Sequence, residues 1–284
     1  MLTLAIQKSG RLTDKSMNLL GECGISIQDG DRAKLKAKAK NFDLEILFMR
    51  DDDIPECVSD EIADIGIVGE NVYLEKDRDI NIVKRLGFSQ CRLSIGIPKE
   101  QKYNGIEDLQ GITVATSYPK ILRNEMEKRD VEIEIHEISG SVEIAPSIEL
   151  ADAVFDIVST GSTLRSNGLK EVETLLESEA VLVGRKNMPE NVQDLLEDLL
   201  FRIDSVQRAN KRKYILLNAP NDSIDEICDI LPGIKSPTII PLKKDGWSSI
   251  HSVISEDDFW NNIKALEDAG AEGVLTFPIE KMIL

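Results

Sequence analysis

The sequence of 284 residues contains only four cysteines, few aromatic residues and no long hydrophobic run. The cysteines are scattered without a C-x-x-C pair, so neither a structural zinc site nor a disulfide framework is indicated, and buried thiols in a reducing cytoplasm are expected. No segment reaches the ~20 apolar residues that a membrane helix needs, and the N-terminal apolar stretch is too short for a signal peptide. We therefore expect a cytoplasmic protein with no membrane partner.

Basic residues are also scarce relative to acidic ones. Lys and Arg number 34 against 51 Asp and Glu, a formal net charge of −17. A chain this acidic lacks the positive surface that supplies most of the affinity of nucleic-acid-binding proteins. We therefore expect no nucleic-acid partner, and any polyanionic ligand has to be a small one held in a local pocket.

Short apolar runs alternate with helix-length segments over the first two thirds of the chain, which is typical of α/β folds with mainly parallel sheets. The expected strands cover 2–7, 44–49, 64–69, 92–97, 113–117, 132–139 and 155–160, and the clearest helices 12–24, 118–130 and 189–211. Two segments, 80–98 and 171–186, carry long extended patterns with no helix between. They indicate that the chain crosses from one sheet to another.

These patterns predict two α/β lobes joined by two strand crossings, with a ligand cleft where strands end and helices begin. Lobe I is expected to cover about 1–90 and 183–211, and lobe II about 91–182, which together form a catalytic region 1–211. Residues 212–284 follow the order β-α-β-β-α-β of a ferredoxin-like module. This module is expected to be a separate regulatory or oligomerisation domain.

The sharpest local motif is FDIVSTGSTL at 155–164. An apolar strand carries Asp156 and leads into five small residues: Ser159, Thr160, Gly161, Ser162 and Thr163. Small side chains let backbone N–H groups approach an anion, and the hydroxyls add donors, as a phosphate-binding loop requires. An acid followed by T-G-x-T is known from sites for phosphoribosyl diphosphate (PRPP), but an ordinary strand-to-helix turn has a similar composition. Taken alone, the motif leaves both interpretations open.

Further motifs occur in order along the whole chain. They are AIQKSGRL at 5–12, Arg50 with DIP at 53–55, DIGIVGEN at 64–71, LGF at 86–88, CRL at 91–93, ATSYP at 115–119, GSVEIAP at 140–146 and PIEKM at 278–282. With the 155–164 loop, this set resembles the ATP phosphoribosyltransferase family, and the C-terminal module resembles the regulatory domain of its long form. One departure is Glu149, where that family usually has glycine.

The resemblance implies a reaction in which N1 of the ATP adenine attacks C1′ of PRPP and pyrophosphate leaves, giving phosphoribosyl-ATP at the first step of histidine biosynthesis. It implies Mg2+ bound mainly through substrate phosphates, whose oxygens suit a hard cation. It also implies histidine as an allosteric inhibitor and a homo-oligomer that assembles from dimers to hexamers. The fold it implies is two-lobed, like type II periplasmic binding proteins, followed by an ACT- or PII-like βαββαβ domain.

Roles are transferred to this chain one residue at a time. Catalytic roles fall on Lys8, Arg11, Glu143 and Asp156. The two carboxylates would hold the ribose hydroxyls, and the loop residues 159–163 would hold the 5′-phosphate. The loop of Lys8, Ser9, Gly10 and Arg11 would face the diphosphate or the ATP phosphates, while Arg50 and Tyr118 belong to the ATP site. The effector site would use Asn218, Thr238, Ala271 and Gly273, between neighbouring modules.

Simpler roles remain open for several of these residues. Lys8 and Arg11 would also suit solvated charges at a strand end, Glu143 an acid at a helix N-terminus, and Tyr118 a turn-packing aromatic. Two other functions fit parts of the pattern: a solute-binding or sensor protein, and a phosphoribosyltransferase for a free base. The missing secretion signal, the Thr-Gly-Ser-Thr loop and the C-terminal module count against the first. Free-base enzymes typically have two adjacent acids before the loop, and here only Asp156 precedes it directly.

Overall fold

The computed structural model describes residues 1–27, 35–231 and 236–284. It divides into two compact units, Met1–Gly21 with Ile25–Leu196 and Glu22–Gly24 with Glu197–Leu284. The division falls inside a helix, whereas the sequence patterns place the domain boundary at 211. The boundary at 211 and the lobe limits therefore stay predictions.

The first sheet of the larger unit has six strands, in the order β2-β3-β1-β4-β11-β5. Strands β1, β3 and β4 are parallel, and their side chains are buried on both faces because helices cover the sheet. The strands are β1 (Leu2–Gln7), β2 (Lys36–Lys38), β3 (Leu44–Met49), β4 (Ile65–Gly69), β5 (Ile80–Arg85) and β11 (Ala180–Arg185). The helices that alternate with them are α1 (Arg11–Glu22), α2 (Ile54–Ser59) and α3 (Glu70–Lys76).

The second sheet has five strands, in the order β10-β6-β9-β7-β8. Its core is built around the fully buried Phe155. The strands are β6 (Cys91–Pro98), β7 (Thr113–Thr116), β8 (Glu134–Glu137), β9 (Ala153–Val158) and β10 (Leu169–Ser178). They alternate with α4 (Pro119–Glu127), a 3-10 turn (Val142–Ile148) and α5 (Ser162–Ser166).

The two sheets share one plan. In the first, β11 lies antiparallel between β4 and β5, and in the second, β6 lies antiparallel between β9 and β10. Each of these inserted strands enters directly from the other sheet, since β6 follows β5 and β11 follows β10. The two predicted crossings are thus confirmed, and the lobes form the two-lobed α/β fold of type II periplasmic-binding-like proteins.

The smaller unit contains a four-stranded antiparallel sheet, in the order β13-β14-β12-β15. This order and the β-α-β-β-α-β sequence of elements confirm the ferredoxin-like module. Its core includes Ile215, Leu217, Ile227 and Leu266. The elements of the module are β12 (Lys213–Pro220), α7 (Ile224–Ile230), β13 (Thr238–Pro241), β14 (Trp247–Ile254), α8 (Glu256–Asp268) and β15 (Glu272–Pro278). The helix α6 (Glu190–Asn210) precedes them and contains the point of division between the two units.

Among the described residues, no helix combines the length and the apolar character required to cross a bilayer.

Candidate active site

The candidate residues of lobe I follow the carboxyl ends of parallel strands. Gln7 at the end of β1 pairs with Met49 at the end of β3, and the N–H of Lys8 donates to the carbonyl of Met49 at 2.8 Å. The loop of Lys8, Ser9, Gly10 and Arg11 therefore leaves the sheet beside Arg50. All five residues are exposed at this edge. The structure thus brings the lobe I cations together at one sheet edge.

The candidate residues of lobe II are arranged in the same way. Strands β7, β8 and β9 are parallel, so their carboxyl ends share one edge. Tyr118 follows β7, Glu143 lies in the turn after β8, and Ser159 begins the loop after β9. Asp156 lies near the end of β9 itself. Three connections thus deliver a phenol, two carboxylates and a hydroxyl-rich loop to one place.

The two edges face each other. The side-chain amide of Asn71, at the start of α3 in lobe I, donates to the Tyr118 hydroxyl in lobe II at 3.1 Å. Nearby, the Glu75 carboxylate of α3 accepts the N–H groups of Lys120 and Ile121 at 3.0 Å each, at the first turn of α4. Ligands bound at either edge would therefore share one cleft. The sequence patterns did not identify Glu75, because nothing local marks a cap supplied by another lobe.

Tyr118 lies in lobe II and contacts residues of both lobes. Its ring packs against the core of lobe II, as a turn-packing aromatic would. Burial raises the pKa of its hydroxyl, and so do the negative charges of Asp156 in lobe II and of Asp51 and Asp52 in lobe I. The phenol therefore stays protonated and can donate a hydrogen bond within the cleft.

The two predicted sugar-binding carboxylates lie close enough to influence each other. Burial raises the pKa of Asp156 above its ordinary value, and the negative charge of Glu143 raises it further, while a hydrogen bond from the Ile157 N–H opposes both. Repulsion between two carboxylates at a half-buried site is relieved when hydroxyl donors or a cation bind between them. Raised carboxyl pKa values of this kind are more common at functional sites than elsewhere.

The 159–163 loop has the backbone of a tight turn. Gly161 has a φ of +70°, which glycine adopts without steric cost, and α5 begins at the next residue. The hydroxyls of Thr160 and Ser162 lie 3.0 Å apart. Four of the five residues are exposed, while Gly161 is buried. The four residues with hydroxyl side chains are therefore accessible to solvent.

Glu149 occupies the left-handed region, with a φ of +58°, directly after the 3-10 turn. A glycine at this position would adopt that conformation freely, which accounts for the residue that is usual in the family. The Glu149 side chain is exposed. This departure therefore places a non-glycine residue in a conformation that favours glycine at the turn.

The structure gathers the four predicted effector residues only in part. A Cβ at Gly273 would lie 3.5 Å from the side-chain nitrogen of Asn218, so β12 and β15 bring these two together, beside Ala271. Thr238 lies on β13, with β14 between it and β12. Two strand spacings amount to roughly 10 Å. A single copy of the module therefore does not unite all four.

Comparison with known proteins agrees with this geometry. The family model "HisG: ATP phosphoribosyltransferase" matches residues 50–205, and "HisG, C-terminal domain" matches residues 209–281. ATP phosphoribosyltransferases of Parabacteroides distasonis and Bacteroides thetaiotaomicron are 55% and 54% identical, over the full length of both chains. The chain belongs to the ATP phosphoribosyltransferase family.

A solved member of the ATP phosphoribosyltransferase family supports the same two-lobed fold. The "ATP phosphoribosyl transferase (HisG:HisZ) complex from Thermotoga maritima" superposes with a TM-score of 0.60 at 27% identity, and the match covers 72% of this chain and 99% of that one. The resemblance noted in the sequence motifs is therefore confirmed for family and fold. The roles of individual residues stay predictions.

Replacing Asp156 by Asn tests the placement of this carboxylate. A raised carboxyl pKa means that the folded state binds the proton more tightly than the unfolded chain does. Ionisation of Asp156 therefore costs the fold stability, and this cost grows as the pH rises from the unfolded-state pKa towards the raised folded-state pKa. We expect Asp156→Asn to keep or raise the Tm at pH 7, while its affinity for PRPP falls.

Asp152→Asn is the matched control, because Asp152 accepts the N–H of Thr113 at 2.9 Å and is exposed. It should leave PRPP affinity unchanged without raising the Tm. Thermal melts and calorimetric titration of PRPP decide the matter. A Tm clearly below that of the unmodified protein, or unchanged PRPP affinity, in Asp156→Asn would contradict the assignment.

Proposed function

We propose that this protein transfers the phosphoribosyl group of PRPP to N1 of ATP in the cleft between its two lobes, releasing pyrophosphate. The observation that carries the proposal is the meeting of two strand edges. One bears the cations of the 8–11 loop and Arg50, and the other bears the 159–163 loop and two carboxylates. Membership of the ATP phosphoribosyltransferase family supports the choice of substrates.

PRPP is assigned to lobe II. The loop residues Ser159 to Thr163 hold its 5′-phosphate through hydroxyl and N–H donors, since hydrogen bonds to a charged acceptor are the stronger ones. Asp156 and Glu143 accept hydrogen bonds from the two ribose hydroxyls. In the free protein the negative charge of Glu143 disfavours ionised Asp156. Hydrogen bonds donated by the ribose hydroxyls would relieve this repulsion. The anomeric carbon then lies toward the opposite edge.

ATP is assigned to lobe I and to Tyr118. Lys8 and Arg11 supply positive charge for the ATP phosphates or the PRPP diphosphate, which a protein of net charge −17 has to provide locally. Ser9 and Gly10 supply backbone donors in the same loop, and Arg50 adds a cation directly after the neighbouring strand β3. The Tyr118 hydroxyl, which accepts from Asn71, can donate to the nucleotide.

The chemistry needs positioning more than a reactive side chain. The adenine N1 is itself the nucleophile, and the transition state develops oxocarbenium character at C1′ and negative charge on the departing pyrophosphate. The Asp156 and Glu143 carboxylates favour positive charge near the ribose, and Lys8 and Arg11 favour the departing anion. The cleft therefore places carboxylates near the positive charge that develops at C1′ and cations near the negative charge that develops on pyrophosphate.

Magnesium fits this site as a partner of the substrate. In the described part of the chain, no three His, Cys, Asp or Glu side chains cluster to hold a metal. The nearby carboxylates Asp156 and Glu143 are hard oxygen ligands that would complete a shell made mostly of phosphate oxygens and water. When bound, Mg2+ would neutralise the diphosphate. Magnesium itself, and a cytoplasmic location, stay predictions.

Removing one hydroxyl donor at a time tests the PRPP loop. Thr160→Val and Thr163→Val keep the shape but remove a donor to a charged phosphate, a loss of roughly 1.5–3 kcal/mol. We expect PRPP to bind about tenfold more weakly or worse in each variant. The rate of phosphoribosyl-ATP formation from ATP, PRPP and Mg2+ gives the KM for each substrate.

Thr276→Val, at an exposed position of β15 in the other unit, is the matched control and should behave like the unmodified enzyme. If both loop variants keep normal PRPP affinity while folded, the phosphate loop is misassigned. If the unmodified protein forms no phosphoribosyl-ATP at all, the proposed reaction is wrong.

The C-terminal module is proposed to bind histidine as a feedback inhibitor. Asn218, Ala271 and Gly273 form one part of the site, and Thr238 of a neighbouring copy supplies another, because one module does not unite them. This arrangement requires a homo-oligomer, for which dimers assembling to hexamers stay a prediction. Histidine slows the distant cleft only if it binds a less active arrangement more tightly.

Asn218→Ala should therefore lose sensitivity to histidine. One lost hydrogen bond to a charged ligand group predicts an inhibitory concentration about tenfold higher or more. Inhibition is measured relative to the uninhibited rate of the same variant. Asn262→Ala on α8, whose side chain donates to the Asp258 carbonyl of its own helix, is the control. Unchanged inhibition of Asn218→Ala would place the effector site elsewhere.

A further inference from the structure

Two arginines from different elements donate to consecutive carbonyls of the 159–163 loop. Arg92 on β6 donates from Nη1 to the carbonyl of Ser159 at 3.1 Å. Arg165 on α5 donates from Nη2 to the carbonyl of Thr160 at 3.0 Å. Neither arginine was assigned a role from the sequence, where Arg92 was only part of a family motif. Both arginines therefore hold the backbone of the same loop.

The planarity of the peptide bond links these two contacts to the direction of the neighbouring N–H groups. In a trans peptide, the C=O of one residue and the N–H of the next point in opposite directions. An arginine that holds the Ser159 carbonyl therefore turns the Thr160 N–H the other way, and the same applies to the Thr160 carbonyl and the Gly161 N–H. Within the described ranges, neither N–H donates to a protein acceptor. Two donors are thus left for a ligand.

Arg92 is itself fixed in place. Its Nε and Nη2 donate to the two carboxylate oxygens of Glu171 on β10, at 2.5 and 2.6 Å. Glu171 also accepts the Ser94 hydroxyl at 2.7 Å. This two-point pairing sets the plane of the guanidinium, which leaves Nη1 for the Ser159 carbonyl. A lysine would provide the charge without that orientation.

Arg165 is placed by the shape of the loop. Its Nη1 lies 2.9 Å from the position that a Cβ on Gly161 would occupy. The missing side chain therefore makes room for the guanidinium as well as permitting the positive φ. The Arg165 guanidinium therefore packs against Gly161 while it donates to the Thr160 carbonyl.

We propose that Arg92 and Arg165 are positioning residues for the 5′-phosphate of PRPP. They hold the carbonyls of Ser159 and Thr160 so that the following N–H groups face the phosphate. Their positive charge also offsets the repulsion between the phosphate and an acidic chain. This inference rests on the proposed function, since it takes the loop to be the phosphate site. It assigns neither arginine to the reacting atoms.

Ribose 5-phosphate is the probe, because it carries the phosphate without the diphosphate. The variants are Arg165→Met and the double variant Arg92→Met with Glu171→Gln, which avoids leaving an unpaired carboxylate. Each should bind ribose 5-phosphate and PRPP about tenfold more weakly, the size expected when hydrogen bonds to a charged group are lost. The affinity for ATP should stay within about twofold. In turnover, the KM for PRPP should rise more than the KM for ATP.

Arg78→Met is the matched control, since Arg78 forms an exposed ion pair with Glu56 and should change neither affinity. Folding is checked by thermal melting. If both test variants are folded and bind ribose 5-phosphate as the unmodified protein does, or if ATP affinity falls by the same factor, the inference is overturned. If the unmodified protein binds neither PRPP nor ribose 5-phosphate, the proposed function fails first and takes the inference with it.

Discussion

The exchange of strands between the two sheets of the larger unit is the constraint on which the site depends. Because β6 enters the second sheet and β11 enters the first, each lobe is completed by a strand that comes directly from the other. Two covalent crossings and two antiparallel insertions hold the lobes with their parallel-strand edges facing. The contacts of Asn71 with Tyr118, and of Glu75 with α4, lie at that junction. Without it, the residues of the cleft would lie on separate surfaces.

Charge is distributed to suit this geometry. A chain of net charge −17 places Lys8, Arg11 and Arg50 at one edge, and Arg92 and Arg165 beside the 159–163 loop of the other. The carboxylates Asp156 and Glu143 face the same cleft, and burial and mutual repulsion raise the pKa of Asp156. The cost of the ionised Asp156 carboxylate to stability is of a kind that is common at functional sites.

Much of this arrangement follows from local patterns in the sequence. Apolar runs, helix signals and the T-G-S-T loop predict the strands, the crossings, Asp156 and the 159–163 loop, because these depend on neighbouring residues. The roles of Glu143 and Tyr118 come from the family resemblance instead. The contacts of Arg92 with Ser159 and of Glu75 with α4 span 67 and 45 or more positions in sequence, and no local pattern marks them. Local patterns also do not show how far apart the predicted effector residues lie. The sheet order puts β14 between β12 and β13, which separates Thr238 from Asn218.

The central claim is that PRPP binds the lobe II edge and ATP the lobe I edge. Amide hydrogen exchange, followed by mass spectrometry with each substrate alone and Mg2+ present, tests it most directly. We expect PRPP to slow exchange at residues 159–164, where the Thr160 and Gly161 N–H groups gain an acceptor. ATP alone should slow exchange around residues 8–12 and leave 159–164 unchanged. Protection of 159–164 by ATP alone, or none there with PRPP, would contradict the account.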